Sequence, residues 1–238
     1  MLIVGFVALG AIPAPAADDD AGTAQSLAQM LRSARLVIAE SQAKIDDPAV
    51  GDKGLTGRVV LDLAIQKYKA TTGVDPASID PKSRQGVLLR ALEDSIVEVM
   101  DESQPQINAK GTGFKGFIPA VFARLVDEAF ARHAKGEAEI KVTAPANLVR
   151  NRKARADAWE AEVITTKLLQ ADWPKGQPFS AIVQDGRPAF RIMVPEYYAE
   201  SCLTCHGTPK GEMDKTGYPK EGGKVGDLGA VISITLFQ

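Results

Sequence analysis

Phe179-Ser180-Ala181-Ile182-Val183 and Ala189-Phe190-Arg191-Ile192-Met193-Val194 stand on either side of Gln184-Asp185-Gly186-Arg187-Pro188. Short runs of apolar and β-branched residues joined by a Gly- and Pro-containing turn predict two strands paired as an antiparallel hairpin. Outward from that hairpin, Leu228 to Leu236 reads as a third strand. Glu139 to Thr143, with Ile140 and Val142 on one face, reads as a fourth. Between them Asp157 and Glu160 have the spacing of a capping box, in which each side chain satisfies a free backbone donor at the helix start. The helix so opened carries Trp159, Val163, Leu168 and Leu169.

Upstream the periodicity is helical. Leu27, Leu31, Ala34, Ile38 and Ile45 recur along one face from Ala24 to Ile45, with Met30 and Val37 beside them. A second pattern passes through Val59, Val60, Leu63, Ile65 and Tyr68, and a third covers Gln85 to Glu102 with Leu88, Leu89, Leu92, Ile96 and Met100 on its apolar face. Pro119 sits where a first-turn proline opens a helix through Val121, Phe122, Leu125, Val126 and Phe130. A helical first half followed by antiparallel strands is an α+β arrangement, with helices on one face or end of the sheet.

The chain has 238 residues, 45% hydrophobic and 24% charged, enough to bury a core and too apolar for wholesale disorder. Its formal net charge of -2 and the lack of a concentrated basic arm argue against nucleic acid as a partner. Leu2 to Ile12 is apolar and too short to span a bilayer, and Ala14-Pro15-Ala16 follows as a small-residue cleavage site. Residues 1–16 are therefore expected to be a signal peptide that lacks the usual positive start, 17–23 a short acidic linker, and 24–238 the folded domain. The expected localisation is the periplasm or another exported compartment, with no transmembrane span after signal cleavage.

Cys202-Leu203-Thr204-Cys205-His206 is the one motif with specific chemistry, and it uses both cysteines of the chain. Thiols at this spacing add to the two vinyl groups of haem, and the next histidine lies under the iron as axial ligand. One covalently attached haem c is expected on Cys202 and Cys205, with His206 binding the iron. The competing readings are a redox dithiol or disulfide with an incidental histidine, and a zinc site short of ligands. Gly111-Thr112-Gly113-Phe114-Lys115-Gly116 matches a dinucleotide fingerprint but follows a polar linker instead of a strand, so it reads as a loop. Ser41-Gln42-Ala43-Lys44 and Lys215-Thr216-Gly217 match penicillin-binding signatures by chance, with no Ser-Asp-Asn between them. The basic run Arg150, Arg152, Lys153 and Arg155 reads first as a solvated loop, and as a source of guanidinium partners for haem propionates in the alternative.

Taken together, several segments resemble the family of exported haem c sensor domains with a PAS-like fold. They are Gly113-Phe114-Lys115-Gly116-Phe117-Ile118-Pro119, Arg150-Asn151 with Asp157-Ala158-Trp159-Glu160, Pro195-Glu196-Tyr197-Tyr198 leading into Ser201 to Gly207, and Gly226-Asp227-Leu228-Gly229-Ala230-Val231-Ile232-Ser233. The resemblance implies a PAS-like antiparallel sheet flanked by helices, one haem c, and sensing of redox state or small ligands. Many relatives place this domain ahead of a kinase or chemoreceptor module, whereas this sequence stops at Gln238, after the last predicted strand.

The leading expectation is a periplasmic mono-haem cytochrome that senses redox state or a small diatomic ligand, or passes one electron to an unidentified redox or signalling partner. An ordinary electron-shuttle cytochrome shares the motif, but a four-helix bundle would carry it on a helix. Here Gly207, Pro209, Gly211, Gly217 and Pro219 follow it. A haem enzyme reducing peroxide or nitrite is the third reading, and no second histidine or acid is placed to give it a catalytic role. For the sixth iron position the candidates are Met30, Met100, Met193, His133 or an open site. Met213 lies too close behind His206, and His133 has the blander role of a helix-end cation.

Overall fold

In the computed structural model, residues 14–184 and 186–238 are described. The expected leader lies outside them up to residue 13, as does Asp185 in the hairpin turn. Helix α1 (Ala14–Glu40) is followed by the single turn α2 (Gln42–Ile45), then α3 (Gly57–Thr72), α4 (Arg84–Glu102), the short α5 (Gln104–Ile107) and α6 (Pro119–His133). Strand β1 (Ala138–Thr143) precedes α7 (Ala158–Val163). The hairpin β2 (Phe179–Val183) and β3 (Ala189–Tyr197), the turn α8 (Leu203–His206) and β4 (Leu228–Phe237) complete the α+β chain.

Helices α3, α4 and α7 start where side chains satisfy free amides, and α6 starts at a first-turn proline. Thr56 and Ser83 cap α3 and α4 by accepting from Val59 and Gly86, Pro119 opens α6, and Asp157 and Glu160 form both bonds of the capping box. Residues 17–23, read from the sequence as a linker, belong instead to the opening turns of α1. There Asp20 is buried and pairs with Arg84 at 2.7 Å, and Thr23 is buried too. A buried charge is kept only when paired, so this segment is built into the fold.

The sheet has the order β1-β4-β3-β2, all neighbours antiparallel. Alternation along the strands sends Phe190, Ile192, Val194, Ile232, Ile234 and Leu236 into the large core under α1, α4 and α6. Met193 and Val231 point the other way, into a second cluster with Val163, Ile164 and Leu168. Helices therefore flank both faces of the sheet and are not confined to one face or end. The expected apolar faces of α1, α4 and α6 are buried, but Val59 and Leu63 of α3 remain more than a third exposed. After Val163 the helix widens into one π turn (Ile164–Leu168), closed by Leu169 N–H donating to Ile164 C=O, and Leu169 is left half-exposed.

Strand β3 runs three residues further than its alternating pattern, to Tyr197, and includes Pro195. Pairing with β2 has already ended at Phe179 and Met193, so beyond that point one edge of β3 is open, where a residue without an N–H is tolerated. Strand β2 is an edge strand and only partly buried, in contrast to β3. Between Glu196 and Tyr197 the register with β4 shifts, from Ala230 to Leu228. This bulge aims the chain out of the sheet and toward α8.

Candidate functional site

The bulge skips Gly229, and the next residue, Tyr198, lays its ring against the resulting gap. A Cβ on Gly229 would lie 2.3 Å from the ring, and one on Gly223 would lie 2.6 Å from it, so both positions require glycine. The backbone of Tyr198 is pinned by its N–H to Asp227 C=O and by Gly226 N–H to its own C=O. Its ring stacks on His206 with centroids 5.0 Å apart and planes 19° apart. Burial, with Glu221 nearby, pushes the Tyr198 phenol up to about 12, and its hydroxyl is buried with no partner among the described residues.

Cys202, Cys205 and His206 lie on one tight helical turn. All three are partly exposed, and both thiols are free. Burial is the main cause that pushes the Cys205 thiol up, with the Asp214 carboxylate adding to it. Cys205 is therefore not activated as a nucleophile by its surroundings.

His206 Nδ1 is held by Glu221 Oε2 at 2.9 Å; a carboxylate only accepts, so the proton of this bond is on Nδ1, and Nε2 is the ring nitrogen left to bind a metal. Two backbone bonds bring Glu221 there. Gly223 N–H donates to His206 C=O at 2.7 Å and Gly222 N–H to Gly207 C=O at 3.0 Å, folding the loop back onto α8. Gly222 has φ +82, a left-handed conformation that glycine adopts without strain.

Arg150 ties this arrangement together. It donates to both carboxylate oxygens of Glu221 at 2.8 and 3.0 Å, to Asp214 at 2.6 Å and to Cys205 C=O at 2.9 Å. Burial works against the charge of Arg150, but Glu221 and Asp214 outweigh it and raise its pKa. Burial also opposes the two carboxylates, yet Arg150, with Thr216 on Asp214 and His206 on Glu221, holds both below their ordinary range. Arg150 is thus fully engaged inside the protein and is not spare for a propionate. Lys153 pairs with Glu128, while Arg152 and Arg155 are exposed.

His133 Nε2 meets Glu98 at 2.6 Å at the end of α6, beside Arg132 and away from Cys202, Cys205 and His206 in the hydrogen-bond network. Met30 and Met100 are packed in the large core, and Met193 in the second cluster, which includes Tyr197 and Leu228, the residues flanking the motif loop. The segment Gly111 to Gly116 is a loop and precedes α6 without a strand.

The site's donors fit a covalently held haem: two free thiols one helical turn apart, followed by an imidazole held through Nδ1 with Nε2 left to bind a metal. Sequence alone does not point to Glu221, offers Arg150 only as an alternative partner for haem propionates, and gives Tyr198 only as part of the segment leading into the motif. The signal for Glu221 is the pair Gly222-Gly223 directly after it, which marks a tight return of the chain.

An antiparallel sheet flanked by helices, with a Cys-x-x-Cys-His turn in the connection between its two central strands, defines an α+β domain of PAS-like type. The chain belongs to the Tll0287-like family, whose pattern it matches over residues 14–236. This is the haem c sensor family that the segments around Tyr198, Cys202 and Gly229 resemble. No curated protein and no solved structure matches the chain.

Proposed function

We propose that this protein is an exported mono-haem c-type cytochrome that acts as a redox or small-ligand sensor, or as a one-electron partner, and not as an enzyme. The observation that carries the reading is the His206 turn: Cys202 and Cys205 are free and partly exposed, and Glu221 holds the adjacent imidazole through Nδ1, which leaves Nε2 as the nitrogen to bind a metal. When bound, the haem supplies an iron that changes by one electron and takes or releases an axial ligand. Cys202 and Cys205 hold it through thioethers, His206 binds the iron, and the Tyr198 ring keeps the imidazole from turning. The Tll0287-like family membership supports the same reading.

Export supports covalent attachment, since the leader-like residues Leu2 to Ile12 would carry the chain out of the cytoplasm. No helix of the described residues is long and apolar enough to cross a membrane. The test is expression with a cytochrome c maturation system, followed by denaturing electrophoresis with haem staining and a reduced pyridine spectrum. Wild type is expected to retain haem, and the double variant Cys202→Ala with Cys205→Ala to lose it entirely. A wild type carrying a disulfide and no haem mass would refute the proposal.

A further inference from the structure

We propose that Glu221 is the positioning residue that sets how strongly His206 donates to iron, and that it thereby holds the reduction potential of the site low. This rests on the haem reading above and extends it to a residue that neither the motif nor the family match assigns.

The geometry carries the argument. A carboxylate accepting from Nδ1 orients the ring and keeps that nitrogen engaged, so that Nε2 is the nitrogen presented to the metal. It also draws the Nδ1 proton toward itself, which gives the ring part of the character of an imidazolate. Such a ring is a stronger donor and stabilises the oxidised metal over the reduced one. A neutral carbonyl acceptor would orient the ring equally well but supply less of the second effect.

Glu221 is more than one half of a surface ion pair. The cluster holds one guanidinium, Arg150, against two carboxylates, Asp214 and Glu221, so one negative charge is left over. Asp214 and Arg150 are 2.6 Å apart, and the Asp214 side chain is fully buried, which makes that pair the structural one. Glu221 shares Arg150 with Asp214 and is the carboxylate of this cluster that touches the imidazole. Arg150 grips both Glu221 oxygens, so the carboxylate cannot rotate away from His206. Arg150 in turn is anchored on Cys205 C=O, in the same turn as the ligand. A bidentate guanidinium fork gives this orientation a geometric precision that a lysine would not.

The experiment compares midpoint potentials of haem-loaded wild type, Glu221→Gln and Asp214→Asn. Asp214→Asn removes an equal charge from the cluster without touching His206. Glu221→Gln is expected to favour the reduced state at least tenfold, a rise of about 59 mV for a one-electron couple. Asp214→Asn is expected to give less than half of that rise. No rise in Glu221→Gln, or equal rises in both variants, would overturn the proposal while leaving the haem reading intact. A wild type without covalent haem would overturn both together. Should Glu221→Gln fail to fold, proton NMR of the cyanide-bound ferric wild type decides. A slowly exchanging His206 Nδ1 proton, shifted outside the protein envelope, supports the carboxylate bond, and rapid exchange of that proton refutes it.

Discussion

Tyr198 shows how single residues shape the site. Its ring occupies the space where two glycines lack side chains, and it stacks on the histidine that follows the two cysteines. Gly229→Ala would place a methyl inside the ring's van der Waals radius, and the buried ring has no room to withdraw. The expected cost is about 1–3 kcal/mol, the usual penalty of overpacking, read as a lower urea midpoint. The phenol oxygen has no hydrogen-bond partner among the described residues, so Tyr198→Phe removes an unsatisfied buried group. It is expected to leave the midpoint of the haem-free protein unchanged or higher. A large loss in Tyr198→Phe would show that the hydroxyl, and not the ring, does the holding.

Among the elements, α1 is tied to the end of β3. Arg32 and Arg35 of the helix both pair with Glu196, at 2.5 and 2.9 Å, one residue before the bulge that leads to Tyr198. Behind this tie lies Asp127 of α6. One of its oxygens accepts from Val142 N–H of β1, and the other is out of water with no partner among the described residues. Desolvation pushes the Asp127 carboxyl up to about 8, although Val142 N–H and the nearby Arg35 and Arg124 oppose the shift and Glu128 of the same helix adds to it. The folded state then binds more protons than the unfolded chain between the ordinary aspartate value near 4 and about 8. Stability should fall as pH rises through that window, by at most about 1.4 kcal/mol per pH unit for one proton. Asp127→Asn keeps an acceptor for Val142 and cannot ionise. It is expected to match wild type at pH 4 and exceed it at pH 9 in thermal melts, and parallel melts at both pH values would refute the assignment.

For the molecule as a whole, the question is whether the iron would keep an open or weakly held sixth position. His133 is engaged by Glu98, and Met30 and Met100 are committed to the core under the helices. Met193 alone of these methionines shares a cluster with Tyr197 and Leu228, on either side of the motif loop. A sensor needs a displaceable ligand, so the reduced, haem-loaded protein is expected to bind carbon monoxide within the mixing time of a spectrophotometer. Iron that stays six-coordinate, low-spin and inert to carbon monoxide in both oxidation states would favour an electron shuttle. Met193→Leu then separates the cases, because a change in the reduced spectrum would identify that thioether as the ligand.

The amino-acid sequence by itself determined the α+β class, the hairpin from Phe179 to Val194, the apolar faces of α1, α4 and α6, and the Cys202–His206 motif. All of these are carried by neighbours within a few residues: strand and helix periods repeat locally, and thioether attachment depends on a fixed spacing. Only the tertiary structure decided what surrounds His206. Glu221 is fifteen residues from it, and Arg150 is seventy-one residues from Glu221. Their meeting depends on the return at Gly222-Gly223 and on the bulge beside Gly229. The acidic stretch before residue 24 reads as a linker for the same reason, since the Asp20 partner, Arg84, is sixty-four residues away. A charge's partner across such a distance is set by how helices and loops pack, and no local pattern records it.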